Sequence, residues 1–215
     1  MQRKTSDTSA GAAAADWPGA IHRVLKSQGI GQVSYVPDAG HKRLIELCHA
    51  DRGMTVVPLT TEEEGIGLAA GAWLGGERSA LLMQSSGVGN CVNALTLSAN
   101  CGFPLLMIVT MRGEWGEFNP WQIPMGQATP DALRLGGVRT LRLERAEDAL
   151  DTVTAAAKLA FGGYAAVAVL IAQRPLAVSV TRAPTASRLL FVPTSLNASQ
   201  CCGPPVLRSS CAGCR

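Results

Sequence analysis

Residues 54–76, MTVVPLTTEEEGIGLAAGAWLGG, decide how the chain folds. A short apolar run at 56–59 meets two threonines, three consecutive glutamates and a glycine, then an Ala/Gly/Leu-rich segment closed by Gly75-Gly76. A four-residue apolar run bounded by turn residues predicts a strand, and the longer segment behind the acidic cluster predicts a helix. Glutamates in a first turn complement the positive end of the helix dipole, and Thr61-x-x-Glu64 fits a capping box. That accounts for Glu64 and for Glu62 as an exposed dipole complement. It gives no reason for Glu63.

The same alternation extends to both sides. The order predicted is a helix at 17–28, a strand at 32–36 closed by Pro37-Asp38-Ala39-Gly40, and a helix at 41–50. After the strand at 54–59 and the glutamate-rich helix come a strand at 79–83, a polar glycine loop at 84–90 and a helix at 92–100. The unbroken apolar run at 104–110 predicts a fully buried strand. Residues 111–130 show no period and read as one long loop, a feature that in compact domains is usually functional. A strand at 140–143 precedes an amphipathic helix at 145–161, striped by Leu150, Val153, Ala157, Ala160 and Phe161, and a buried strand at 165–172. Strands apolar through their length and alternating with helices specify an α/β fold: a three-layer parallel sheet of about six strands covered on both faces. The expected organisation is a flexible arm at 1–16, one α/β domain at 17–182 and a poorly packed or disordered tail at 183–215.

Composition narrows the function. Hydrophobic residues make up 47% of the 215 residues and charged ones 16%, so the core is ample and part of the surface is expected to be covered by another subunit. Three of the 19 basic residues and none of the 16 acidic ones lie in 183–215, leaving a neutral body. Nucleic-acid binding needs clustered Lys and Arg and is not expected. No apolar run approaches the roughly 20 residues of a membrane span, and Asp16 interrupts the weakly apolar alanines near the start, so a cytoplasmic protein is expected. Cys48, Cys91 and Cys101 read as small hydrophobes. Cys211-x-x-Cys214 lacks a properly spaced partner pair at Cys201-Cys202, so no metal site is expected in the tail.

In such a sheet ligands bind where strands end and helices begin. Segments 36–40, 59–65, 84–90 and 111–126 lie there, each with polar or glycine residues. Gly87-x-Gly89 opens a dinucleotide fingerprint, but its third glycine would fall on Val92, and no acidic residue follows at the ribose distance. A stand-alone nucleotide-binding domain therefore stays a minor alternative.

Val36-Pro37-Asp38, Glu63-Glu64-Gly65 with Ala69-Ala70, Gln84-Ser85-Ser86-Gly87-Val88-Gly89-Asn90 and Gln122-Ile123-Pro124-Met125-Gly126 together resemble the pyrimidine-binding domain of thiamine-diphosphate-dependent decarboxylases, in the sulfopyruvate and phosphonopyruvate branch. The resemblance runs from about residue 17 to 180. It implies that Glu63 hydrogen-bonds N1′ of the cofactor's aminopyrimidine, promoting the tautomer that takes the thiazolium C2 proton, while the cofactor serves as electron sink for carbon dioxide loss. A glutamate buried in apolar surroundings there would share a proton with N1′ more readily. By the same resemblance Gly65, Ser86 and Gly87 join Glu63 in binding the cofactor, and Asp38 transfers protons or orients substrate. Ser86, Asn90 and Gln122 would meet a small anionic 2-oxo acid, with Arg112, His41 and Lys42 as candidate donors to its anionic tail.

Two departures qualify the match. Gly71-Ala72-Trp73 stands where many relatives have Asp-Gly-Tyr, and nothing in 130–215 resembles the Gly-Asp-Gly…Asn half that holds the diphosphate and Mg2+. The resemblance thus implies the α-type subunit of a decarboxylase whose diphosphate-binding β subunit carries the magnesium, with self-association also expected. A non-catalytic homologue serving as scaffold or regulator of a partner is the alternative.

Overall fold

A computed structural model describes residues 16–174; the expectations for 1–15 and for 175–215 lie outside the described residues. Strands β1 (Ile30–Tyr35), β2 (Thr55–Pro58), β3 (Arg78–Gln84), β4 (Leu105–Thr110), β5 (Arg139–Leu143) and β6 (Ala166–Ile171) form one parallel sheet in the order β2-β1-β3-β4-β6-β5. Helices α1 (Trp17–Ser27), α2 (Lys42–Ala50), α3 (Glu62–Leu74), α4 (Ser85–Cys101), α5 (Ile123–Leu135) and α6 (Ala149–Gly163) cover it. Parallel crossovers are right-handed, so the direction of travel along the sheet fixes the face each helix takes. The steps from β2 to β3, β4 and β5 run one way and place α3, α4 and α5 together. The steps from β1 to β2 and from β5 to β6 run the other way and place α2 and α6 beside α1.

Alternation within the strands divides the core. Leu82, Leu106 and Ile108 pack with Trp17, Ile21, Leu25, Val153 and Ala157, whereas Leu81, Met83, Met107 and Val109 pack with Ile66, Cys91, Leu95 and Leu133. β4 and β6 are buried at every position, as central strands covered on both faces must be.

Three expectations change. Residues 84–90 are not a loop: α4 starts at Ser85, directly after β3, because its glycines are needed where other chain segments press on the helix. The irregular stretch after β4 ends at Asn119, and a turn at Pro120–Gln122 leads into α5. Pro124 in the first turn of α5 has no intrahelical N–H to lose, whereas Pro130 inside it removes one bond. The single Thr129 Oγ1–H lies within reach of Met125 O (2.7 Å) and Ser85 O (3.2 Å) and so ties α5 to the start of α4, while Leu133 anchors the helix in the core. Leu150 leaves the α6 stripe and is exposed, its place being taken by Ala149 and Ala156.

Candidate active site

The strand order reverses between β1 and β3, and in open α/β sheets ligands bind in the crevice outside the carboxyl ends of the strands at such a point. Asp38 stands there. Its Oδ1 accepts from Gln84 Nε2 (2.8 Å) at the end of β3, and its Oδ2 accepts from Thr110 Oγ1 (2.7 Å) at the end of β4 and from Gly40 N (3.1 Å). One carboxylate thus ties three strand ends together. Gln84 Oε1 accepts in turn from Ser86 Oγ (2.8 Å), which fixes the exposed Ser86 at the start of α4.

The three glutamates separate, because successive helical positions lie about 100° apart. Glu64 turns back: Oε1 accepts from Thr60 Oγ1 (2.6 Å) and Oε2 from Thr60 N (3.0 Å), and these bonds hold its pKa below the usual range. Thr61 is the cap residue by position but makes no side-chain cap bond, so the expected capping box is displaced by one residue onto Thr60. Glu62, expected on the surface, is buried at 8% exposure, and its Oε2 accepts from Asn90 Nδ2 (2.9 Å) on α4. Glu63 points outward and is exposed. The burial expected for it is not supplied by the described residues, whose cover at this helix start falls on Glu62.

Two of the residues expected to bind the cofactor, Gly65 and Gly87, also serve packing within the chain. Gly65 is buried, and a Cβ there would overlap Leu81 Cδ1; its smallness lets α3 lie close on β3. Gly87 is covered by Glu62, whose carboxylate occupies the space a Cβ would take. Cys91, between these helices, is pushed up to about 12, mainly by burial and further by Glu62 and Glu63, which makes it a poor nucleophile.

The proposed anion donors fare differently. His41 is fully buried, and its Nε2–H donates to Met83 O (3.2 Å) and Ile108 O (3.1 Å), bridging β3 and β4. Desolvation lowers its pKa, so it is a neutral strut and not an anion donor. Lys42 is exposed at the start of α2. Arg112 is clamped by Glu117, donating from Nε (2.7 Å) and Nη2 (2.6 Å), so its charge is already compensated. Glu117 also accepts from Gly113 N (3.1 Å), Asn119 N (2.9 Å) and Gln173 Nε2 (3.1 Å), and with a side chain 2% exposed it is lowered to about 2, chiefly by Arg112. Arg112 N donates to Ser85 Oγ (3.0 Å), stitching this loop to α4. Gln122, at the end of the turn before α5, has a buried Oε1 with no hydrogen-bond partner among the described residues.

Sequence reasoning missed Glu62 and Glu117. For Glu62 the helical repeat carried a signal: it shares a face with the apolar Ile66 and Ala69, four and seven residues on, and both are buried. Glu117 had none, because its donors come from a loop and from Gln173 beyond β6.

Residues 19–121 match the family described as thiamine pyrophosphate enzyme, N-terminal TPP binding domain. The sulfopyruvate decarboxylase subunit alpha of Methanothermobacter thermautotrophicus is 44% identical over 117 residues, covering 54% of this chain and 71% of that one. That of Methanococcus maripaludis is 35% identical over 153 residues, covering 71% and 92%. This chain belongs to the thiamine-pyrophosphate enzyme family. The family member phosphonopyruvate decarboxylase of Streptomyces viridochromogenes is 31% identical over 169 residues, which cover 75% of this chain but 43% of the longer relative. Among solved structures, 2-oxoglutarate:ferredoxin oxidoreductase from Magnetococcus marinus superposes with a TM-score of 0.59 at 15% identity, over 74% of this chain and 29% of that one; this likeness shows the shared fold.

The residues present fit a thiamine-pyrophosphate enzyme's cofactor. Glu63 is a carboxylate left free at the carboxyl edge, and Gln122 Oε1 is a buried acceptor still lacking a donor. Among the described residues no group of three or more His, Cys, Asp or Glu could hold a metal ion, and no helix is long and apolar enough to cross a membrane.

Proposed function

We propose that this chain is the pyrimidine-binding, α-type subunit of a cytoplasmic thiamine-diphosphate-dependent decarboxylase acting on a three-carbon 2-oxo acid with a terminal sulfonate or phosphonate. A second chain supplies the diphosphate-binding half and Mg2+. The observation that carries the reading is the freedom of Glu63: its two neighbours are each bonded within the chain, while its own exposed carboxylate has no hydrogen bond or ion pair among the described residues. The names of the relatives support both the substrate class and the existence of a second subunit.

When bound, the cofactor supplies the electron sink for loss of carbon dioxide. The carboxyl of Glu63 holds the proton at pyrimidine N1′. Asp38, fixed by Gln84, Thr110 and Gly40, keeps the crevice rim in place and orients substrate. Gln122 donates from its side-chain amide nitrogen to the bound substrate, and Ser86 and Asn90 line the same side. The substrate's anionic tail is met by Arg112 only if it displaces Glu117, so the partner chain is the better source of that charge.

The test is reconstitution with the chain encoded beside this one, assayed for aldehyde release from sulfopyruvate and phosphonopyruvate with thiamine diphosphate and Mg2+. Turnover that Glu63→Gln lowers by about 10³-fold or more is expected, of the order of a lost proton-transfer group. A complex inert toward every 2-oxo acid, or an unimpaired Glu63→Gln variant, overturns the reading.

A further inference from the structure

A buried carboxylate is costly unless its oxygens are satisfied. Glu62 is 8% exposed and has one hydrogen-bond donor among the described residues, the Asn90 amide. An apolar side chain of equal length would serve folding as well or better. Its surroundings are nevertheless shaped for it. Gly87 and Asn90 are one turn apart on α4 and present one face toward α3; any side chain at Gly87 would collide with the carboxylate, and Asn90 meets it. The carboxylate also rests over the first turn of α4, whose unpaired N–H groups form a positive end. The bond from Nδ2 fixes the Asn90 amide one way round, since the flipped amide would set Oδ1 against Glu62 Oε2.

We propose that Glu62 is a positioning residue of the decarboxylation site. It holds the Asn90 amide with Oδ1 turned away toward the crevice, and it locks the first turn of α3, and with it Glu63, against α4. The inference rests on the decarboxylase reading for its kinetic consequence and on the helix contact alone for its geometry.

Two equal-length variants separate positioning from space-filling. Glu62→Gln keeps an acceptor for Asn90, whereas Glu62→Met keeps only the bulk. In the reconstituted complex, Glu62→Gln retains kcat within about threefold, and Glu62→Met and Asn90→Ala each lower it about tenfold or more. The Glu62→Met/Asn90→Ala double variant loses no more than the worse single one, because the two act as a unit. Melting temperatures of all variants stay near the unaltered chain, which a purely structural role would not permit alongside the kinetic loss. Full activity in Glu62→Met, or losses that multiply in the double variant, overturns the proposal.

A second measurement uses the full chain by itself: the Asn90 side-chain amide pair in a 1H–15N spectrum, identified by its disappearance in Asn90→Ala. That pair shifts in Glu62→Met and stays close to its place in Glu62→Gln. If the unaltered complex shows no turnover, the decarboxylase reading has failed, and this spectrum still decides the contact. An Asn90 pair unmoved by Glu62→Met overturns it.

Discussion

Replacing Glu117 by glutamine tests whether the loop after β4 is held by charge. The carboxylate takes five hydrogen bonds, two from Arg112 and one each from Gly113, Asn119 and Gln173. Its pKa falls from 4.5 to about 2, which is worth at most about 3.4 kcal/mol; glutamine keeps an acceptor for part of the network, which lowers the expectation to about 2 kcal/mol. A folded-state pKa below the unfolded one adds stability that is complete above pH 4.5 and disappears as pH falls toward 2. Glu117→Gln should therefore unfold at lower urea than the unaltered chain at pH 7, by about 2 kcal/mol in extrapolated free energy. The gap should be unchanged down to about pH 5 and more than half closed at pH 3. The measurement is urea unfolding followed by far-ultraviolet circular dichroism from pH 3 to 7. Equal stability at pH 7, or a gap that does not narrow with acid, refutes the clamp.

Asp38→Ala removes the acceptor shared by Gln84, Thr110 and Gly40, so urea unfolding should show a loss of about 2–3 kcal/mol, with turnover falling as the rim loosens. His41 is neutral and its folded pKa lies below 6.5, so the unfolded chain binds the extra proton and stability drops as pH falls below about 6.5. His41→Gln should flatten the part of the stability profile between pH 6.5 and 5 that this group contributes, read by thermal melts across that range. Gly126→Ala places a methyl group on the Arg112 carbonyl oxygen, and should lower stability by about 3 kcal/mol in the same melts, as overpacking against backbone does.

The fold was legible because β4, β6 and most of β3 are apolar runs bounded by polar turns and separated by helical spacings, so the parallel α/β arrangement follows. α5 was not, because Pro124, Gly126 and Pro130 break the pattern that a helix needs. Its stability comes instead from a tertiary fit: Gly126 against Arg112, Thr129 against Ser85 and Leu133 in the core. The clustering of the site at the carboxyl edge was legible from loop composition, whereas the pairing of Arg112 with Glu117 depended on loop geometry, with Gly113 and Gly116 at positive φ, that no periodicity encodes.

The glutamate triplet marks the boundary between the two cases. Helical rotation fixes that Glu62, Glu63 and Glu64 face three ways, but which neighbour each one finds is a property of packing. α3 is apolar on nearly every side, the composition of a helix covered all round. Its own chain covers it with β1, β3 and α4 and leaves Gly67, Gly71 and Leu74 exposed on the flank that begins at Glu63. Gly67 and Gly71 would each tolerate a Cβ without collision against the described residues, so nothing among these requires their smallness. The requirement then lies outside them, on the side where the two-subunit reading puts its partner. Gly71→Ala accordingly stabilises the isolated chain by up to about 1 kcal/mol through helix propensity, while weakening assembly with the second chain in analytical ultracentrifugation. Undiminished assembly would place the partner elsewhere and leave the exposure of Glu63 without its explanation.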